Sequence, residues 1–283
     1  NIFEKVLVND LIYNSNAKIT DKGFKNSYNF LFKNINTEGK NSSKYNNDKD
    51  YKIGSLIEFN SSYPLKKEGD SFDKMFKPIL SLKFSPNTSK NIKDANRRID
   101  INNIYSFNRI GFNDTLEGGA SITYGTEFSK TNKSDKEVFG LKIANILRVE
   151  EEKKLPATSG MGNKTSDIIG NLNYDPNDLF RFNYDFSIDE NLKDTNYQLI
   201  NSEFKINNFV TTFEYLNENK TGINNSYLSN KTTYKINDSN NLILEARENK
   251  KTNATEFYNL IYQYRNDCLI AAIEYNKDYY QDR

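Results

Sequence analysis

The sequence predicts an all-β chain, an antiparallel transmembrane β-barrel read as about fourteen strands. Three observations carry that expectation. First, apolar and polar residues alternate strictly. Leu116, Gly118, Ala120, Ile122, Tyr124, Thr126 and Phe128 interleave with Glu117, Gly119, Ser121, Thr123, Gly125 and Glu127. Phe180, Phe182, Tyr184, Phe186 and Ile188 do the same against Arg181, Asn183, Asp185 and Ser187. Successive side chains of a strand point to opposite faces, so each segment carries one apolar and one polar face. Second, the segments run to about 10 residues, where soluble strands average about 5–6. That is the length a tilted strand needs to cross a bilayer. Third, connections in the second half alternate between tight and longer, as the periplasmic turns and extracellular loops of outer-membrane barrels do.

Alternation and turn punctuation place strands over 2–13, 22–33, 52–63, 76–85, 116–129, 137–149 and 166–175. They continue over 178–189, 196–206, 209–217, 226–236, 241–248, 256–264 and 267–278. Asp175-Pro176-Asn177, Asn207-Asn208, residues 237–240 and Arg265-Asn266 read as tight turns, whereas 190–195, 218–225 and 249–255 read as longer loops. Carried backwards, this parity puts 34–51, 86–115 and 150–165 on the outer side and 14–21, 64–75 and 130–136 on the periplasmic side. It requires residues 86–115 to form one long loop, although Ile99, Ile101, Asn103, Tyr105 and Phe107 alternate like a strand. The expectation is a loop that folds back into the lumen or pairs locally. Tyr and Phe, 19 of each, cluster near strand ends at Tyr28, Phe59, Tyr174, Phe180 and Tyr234 among others. Interfacial girdles explain this; so does the β-propensity of aromatics.

Composition narrows the chemistry. No apolar run approaches the ~18 residues of a spanning helix. The hydrophobic fraction of 36% suits a barrel with a wet interior, whose strands need an apolar residue only at every second position. A net charge of +1 favours neither nucleic acid nor an anionic membrane surface. With no His, a Ser-His-Asp arrangement is impossible within the chain, and the commonest metal ligand is missing. A single Cys, Cys268, excludes both a Cys-cluster zinc site and an internal disulfide. No catalytic role and no cofactor are expected. Residue 1 is Asn and no signal peptide is visible, so the chain is expected to be part of a longer exported one.

Four stretches go beyond generic barrel sequence. The first runs from Lys77-Pro78 to Pro86-Asn87, and the second from Asn108-Arg109 through Asp114 to Glu117-Gly118-Gly119. The third is Tyr174-Asp175-Pro176-Asn177 with the strand to Ile188. The fourth is Asn266-Asp267-Cys268-Leu269 running into Glu274-Tyr275 and Tyr279-Tyr280-Gln281-Asp282-Arg283. Gly118 and Gly119 suit either a close approach of two backbones or a bulge. Arg109, Asp114 and Glu117 suit either a buried ion network anchoring the loop or solvated charges. Cys268 suits either a small packed apolar side chain or a disulfide in an oxidising compartment.

In order and spacing these stretches resemble the LptD (OstA) family of lipopolysaccharide-assembly barrels, best over residues 76–283. Asn108, Arg109, Asp114, Glu117, Gly118 and Gly119 match one family segment, Pro78 and Pro86 a second, and Cys268 a third; Phe112 and Thr115 depart from the pattern. The resemblance implies a larger barrel of about 26 strands, of which this chain is the C-terminal portion over 1–283, without the periplasmic jelly-roll domain and the closing strand. It implies insertion of lipopolysaccharide into the outer leaflet of a Gram-negative outer membrane, with acyl chains leaving through a lateral opening and sugars crossing the lumen. Its implied partners are lipopolysaccharide, outer-membrane lipid, an LptE-like lipoprotein plug and an LptA-like periplasmic bridge reached through the missing N-terminal domain, with no nucleic acid. It also implies that Cys268 pairs with an upstream Cys absent from this sequence. On that reading Glu117, Ser121, Thr123, Glu127, Arg181, Asn183 and Asp185 face the lumen, where sugars or water bind, and Leu116, Ile122, Phe182 and Phe186 meet lipid. A porin or substrate-specific channel is the alternative, with residues 86–115 as its constriction loop.

Overall fold

A computed structural model describes residues 1–220 and 223–279. Its strands are β1 (Phe3–Asn14), β2 (Lys18–Ile19), β3 (Lys25–Lys40), β4 (Asp50–Ser62), β5 (Leu65–Lys67), β6 (Phe72–Ser85), β7 (Gly119–Asn132) and β8 (Glu137–Arg148). They continue as β9 (Ile168–Asn177), β10 (Phe180–Ile188), β11 (Thr195–Ile206), β12 (Phe209–Lys220), β13 (Ile223–Asn237), β14 (Asn240–Asn249), β15 (Ala254–Arg265) and β16 (Ile270–Asp278). One antiparallel sheet takes up all of them, in the linear order β1-β3-β4-β6 and then β7 to β16 in sequence. The short β2 and β5 pair beside that path, with β3 and β6. Every long strand lies where alternation predicts one.

The chain divides into two compact units, Asn1–Lys67 with Met75–Phe128 and Lys142–Ile169, and Glu68–Lys74 with Ser129–Leu141 and Gly170–Arg283. In the first unit the register sets Leu31 opposite Leu56, Lys33 opposite Gly54 and Glu58 opposite Lys83, all on one face. That face is covered by residues 86–118. The other face leaves Phe32, Ile57, Leu82, Phe84, Ile122 and Tyr124 exposed. In the second unit Arg181, Glu203, Thr212, Lys231 and Glu245 share one face through successive pairings. Phe204, Phe213, Leu228, Leu244, Leu260 and Tyr275 are exposed on the opposite face. Both units thus convert the two-residue alternation into one charged and one apolar surface. Aromatic rings pair between neighbouring strands: Tyr28 with Phe59 at 5.1 Å and Phe24 with Tyr63 at 4.8 Å in the first unit, Phe180 with Phe204 at 4.9 Å and Phe209 with Tyr234 at 4.5 Å in the second.

Several boundaries differ from expectation. Strand β3 runs on to Lys40, so the first outer connection shrinks to residues 41–49. The Asp175-Pro176-Asn177 turn is instead the end of β9, and the chain reverses at residues 178–179. Predicted loop 218–225 is largely strand, because Lys220 pairs with Ile223. The alternation of loop lengths therefore fades towards the C-terminus. The strand placed at 116–129 starts only at Gly119, whose φ of +81° turns the chain. Leu116 consequently does not join the apolar face. It is 8% exposed and packs with Leu31 and Leu56 on the covered one. Residues 280–283, part of the fourth sequence stretch, lie outside the described residues.

Residues 86–118 are one continuous connection between β6 and β7, and the segment 99–107 within it contains turns rather than a strand. Its apparent alternation has another origin. Ile99, Ile104 and Ile110 are buried against Ala144, Ile146, Leu155, Met161 and Ile169. The periodicity comes from turns that bury apolar residues, not from a pleated ladder.

Candidate functional site: a buried ion network under the β6–β7 connection

Three strands supply the floor. On β6 the covered face carries Ser81, Lys83 and Ser85; β4 places Glu58 directly opposite Lys83. Lys83 Nζ lies 3.4 Å from Glu58 Oε1. The Glu58 carboxylate also accepts from Asn29 Nδ2 at 2.6 Å, Asn60 Nδ2 at 2.9 Å and the Ser81 hydroxyl at 3.1 Å. A buried carboxylate is tolerated when its lone pairs are taken up in this way. The remaining donors of Lys83 reach up to the connection, to the carbonyls of Ser106 and Phe107. On β3, Lys33 pairs with Asp10 at 2.7 Å and donates to the Asn113 carbonyl at 2.9 Å. Two strand lysines therefore hold the backbone of the connection.

The connection supplies the centre. The Arg109 side chain is fully buried and all three of its nitrogens donate. Nε reaches Glu117 Oε2 at 2.7 Å and Nη2 the other Glu117 oxygen; Nη2 also reaches the Ser121 hydroxyl at 2.7 Å, and Nη1 the Thr123 hydroxyl at 2.6 Å. Fork-to-fork pairing of this kind combines geometric specificity with charge-assisted strength. Arg148 at the end of β8 adds a second cation, donating to Glu117 at 2.7 Å and to the Gly118 carbonyl. Burial alone would raise the Glu117 carboxyl, but Arg109, Lys83 and Arg148 outweigh it and hold the group down to about 2. The Arg109 carbonyl is itself gripped by Arg97 Nε at 3.0 Å and Nη2 at 2.8 Å.

The other expected residues separate from this centre. Asp114 joins a second cluster, with Lys90 and with the Tyr45 hydroxyl at 2.7 Å, while Lys90 sits over the Tyr45 ring at 4.3 Å. Burial would raise the Asp114 carboxyl, but hydrogen bonds from Lys90 and Tyr45 lower it below its ordinary value. Asn108 braces a local turn, accepting from Gly111 N at 3.2 Å and donating to the Phe112 carbonyl at 3.3 Å. Gly118 lies against the opposite end of the same connection: its N donates to Ser89 Oγ at 2.9 Å, and a Cβ there would collide with the backbone of residues 87–89. Glu127 pairs with Lys77 at 2.6 Å.

The expectation for Ser121 and Thr123 is a surface that binds sugars or water. Their hydroxyls are instead buried and taken by Arg109, and Glu117 is likewise occupied, so these three anchor the connection. In the second unit Arg181 pairs with Asp175 at 3.2 Å and Glu203 at 3.5 Å. Asn171 bridges Asn183 and Asp185 at 2.8 Å each. A cavity of about 470 Å³ opens over Arg181, Asn183, Glu203, Lys231 and Glu245. Cys268 is exposed and unpaired in the β15–β16 turn, its N–H held by Asn266 Oδ1 at 3.0 Å. Among the described residues no group of three or more His, Cys, Asp or Glu side chains is placed to hold a metal.

Sequence alone does not single out Lys33, Glu58, Lys83 and Arg148. The available signal was a charged residue in the polar phase of a strand, flanked by apolar neighbours, as Lys83 is by Leu82 and Phe84. Such a residue, if the polar face is covered, must find a partner.

Comparison with known families gives a match. The family model described as LptD, LPS transport system D, matches residues 25–246. A search of curated proteins found no match.

Proposed function

The chain belongs to the LptD family, LPS transport system D, and from that premise we propose that it forms the C-terminal portion of an outer-membrane barrel that inserts lipopolysaccharide into the outer leaflet. The family is one of transport proteins rather than enzymes, and its members reside in the outer membrane. One observation supports the reading most directly: long antiparallel strands with one exposed apolar face and one charged face, continuous along a single ladder. A bilayer demands that backbone hydrogen bonds be satisfied between neighbouring strands.

In this reading the free edges of β1 and β16 are met by further strands of a barrel of about 26, and acyl chains leave between its first and last strands. Sugars follow the charged face, of which the Arg181, Asn183 and Asp185 surface is the open part. The connection 86–118, fixed by Arg109 and Glu117, narrows the lumen beside an LptE-like lipoprotein plug. The turn at Cys268 lies on the periplasmic side, with turns 178–179, 207–208 and 238–239. There Cys268 bonds to a Cys of a periplasmic N-terminal domain that receives lipopolysaccharide from an LptA-like bridge.

The test is depletion of the full-length protein in its host, followed by assay of newly made lipopolysaccharide at the cell surface. Loss from the surface with internal accumulation, while other barrels still insert, is the expected result. Unchanged surface lipopolysaccharide with reduced small-solute uptake would replace transport with a channel function.

A further inference from the structure

Strand β4 outruns its neighbour. It pairs with β3 over its whole length, from Thr37–Asp50 to Lys25–Ser62, but with β6 only over Ile57–Ser62. Among the described residues no strand lies beside β4 over 50–56. The Asn87 side chain stands in for one, donating to the Ile53 carbonyl at 3.1 Å and accepting from Ser55 N at 2.9 Å. The sheet therefore has a step, and above Asn87 the step opens into a cavity of about 430 Å³.

Three lysines line this cavity against one carboxylate, Asp114. Lys90 is neutralised by Asp114. Lys52 pairs with Asp50 at 2.8 Å yet keeps 62% of its side chain exposed. Lys154 makes no ion pair among the described residues; its backbone is fixed instead, its carbonyl accepting from Ile92 N at 2.8 Å. The cavity thus carries one uncompensated positive charge, at Lys154, and Lys52 is the largely exposed half of a surface pair with Asp50. Ile35 and Leu116 give it an aliphatic floor, and Thr88, Asn91 and Thr115 add polar groups to its wall. Ile53, 62% exposed on the apolar side of the sheet, borders it. The cavity consequently lies where the charged and apolar faces meet, which is where the headgroup of an amphiphile lying on the apolar face would sit.

We propose that this cavity at the β4 step binds a phosphate-bearing sugar headgroup, with Lys52 and Lys154 on the phosphate and Ile35 and Leu116 under the sugar ring. A phosphate monoester carries about −1.5 to −2 charges, met by Lys154 outright and by Lys52 when it exchanges Asp50 for the phosphate, and lysine binds phosphate as a compact point charge. The volume falls in the range of about 300–1,000 Å³ usual for small-ligand sites. The choice of a phosphosugar over other anions rests on the transport reading above.

The experiment uses the full-length protein purified in detergent with its partner lipoprotein. Bisphosphorylated lipid A, enzymatically dephosphorylated lipid A and glucosamine 1-phosphate are titrated against wild type and the double variant Lys52→Gln, Lys154→Gln. The double variant should lose tenfold or more in affinity for the phosphorylated lipid and nothing for the dephosphorylated one, while Lys154→Arg keeps binding. Heat-modifiable gel mobility verifies that each variant is folded. Competition by glucosamine 1-phosphate shows that the headgroup suffices; its failure to compete, with the double variant still impaired, assigns the site to the lipid-borne headgroup. Equal affinity of variant and wild type for phosphorylated lipid A, or equal binding of both lipids, overturns the site. The two readings fail separately. Absent lipid A binding with intact depletion effects removes only this site, and lysine-dependent binding without any depletion effect removes only the transport role.

Discussion

Arg109 and Glu117, eight residues apart in one connection, face each other through two parallel hydrogen bonds with the guanidinium wholly buried. The pair is not isolated, because the same guanidinium also takes the Ser121 and Thr123 hydroxyls of β7. It therefore ties a loop to a strand as well as a loop to itself.

Removing one partner should free the connection. Arg109→Ala leaves Glu117 buried with only Arg148 and the more distant charge of Lys83 in compensation, and breaking a buried pair costs about 3–5 kcal/mol. Limited proteolysis of the folded, heat-modifiable protein should then cut within 86–118, where wild type resists. Equal resistance of the variant would mean that Ile104, Ile110 and their apolar contacts hold the connection without the ion pair.

Acid should release the same contact. Glu117 titrates in the folded protein near 2, against about 4.3 for an unperturbed glutamate. A depressed carboxyl contributes stability that is complete above the unfolded value and fades as pH falls towards the folded one. Protease resistance of 86–118 should be flat from neutral pH to about 5 and decline between about 4.3 and 2, using an acid-active protease. In Glu117→Gln that decline should shrink to the part that Asp114 contributes through its own lowered carboxyl. A decline centred near neutrality in wild type would point to other groups.

The two faces should respond oppositely to charge. Ile122 is exposed on the apolar side of β7, and Ile122→Arg should destabilise a membrane barrel by about 2–4 kcal/mol near the bilayer midplane. Arg181→Ala on the charged face of β10 should leave assembly intact. Unfolding in urea from lipid vesicles measures both; an unaffected Ile122→Arg protein would contradict lipid contact at that face.

Cys268 gives a mobility test. It is exposed in its turn, and Cys268→Ser should change the non-reducing gel mobility of the full-length protein while leaving its reduced mobility unchanged. Identical non-reducing mobility of variant and wild type would exclude a bridge at this position.

The strands were legible because their physics is local. Two-residue alternation recurs along strands such as β3, β4, β6 and β7, and strand ends drift, as at Lys40 and Lys220, where polar residues such as Asn36 and Glu218 extend a ladder without an apolar signal. The site was only partly legible. Arg109, Glu117 and the glycines lie close together in sequence and could be grouped. Asp114, equally close, turns away to Lys90 and Tyr45. Lys83 and Glu58 are brought together by strand register and Arg148 by the end of a distant strand, so nothing in their sequence spacing announces the contact. Leu116 shows the opposite failure: a local pattern continued past Gly119, where the backbone turned.

The order of the ladder also has a temporal consequence. Most long strands bond their neighbour in sequence through a short reversal, the 149–167 connection between β8 and β9 aside, so much of the sheet can zip up hairpin by hairpin. The β6–β7 seam is different, because its connection is about eight times as long as the 133–136 turn, and three doublings of loop length add about 2 kcal/mol of closure entropy. Arg109, Lys33 and Lys83 offset that cost only after the connection has found its place on the strands. Assembly is thus expected to pause at this seam, leaving the β6 and β7 edges as the last to be covered and the surfaces an insertion chaperone would need to guard.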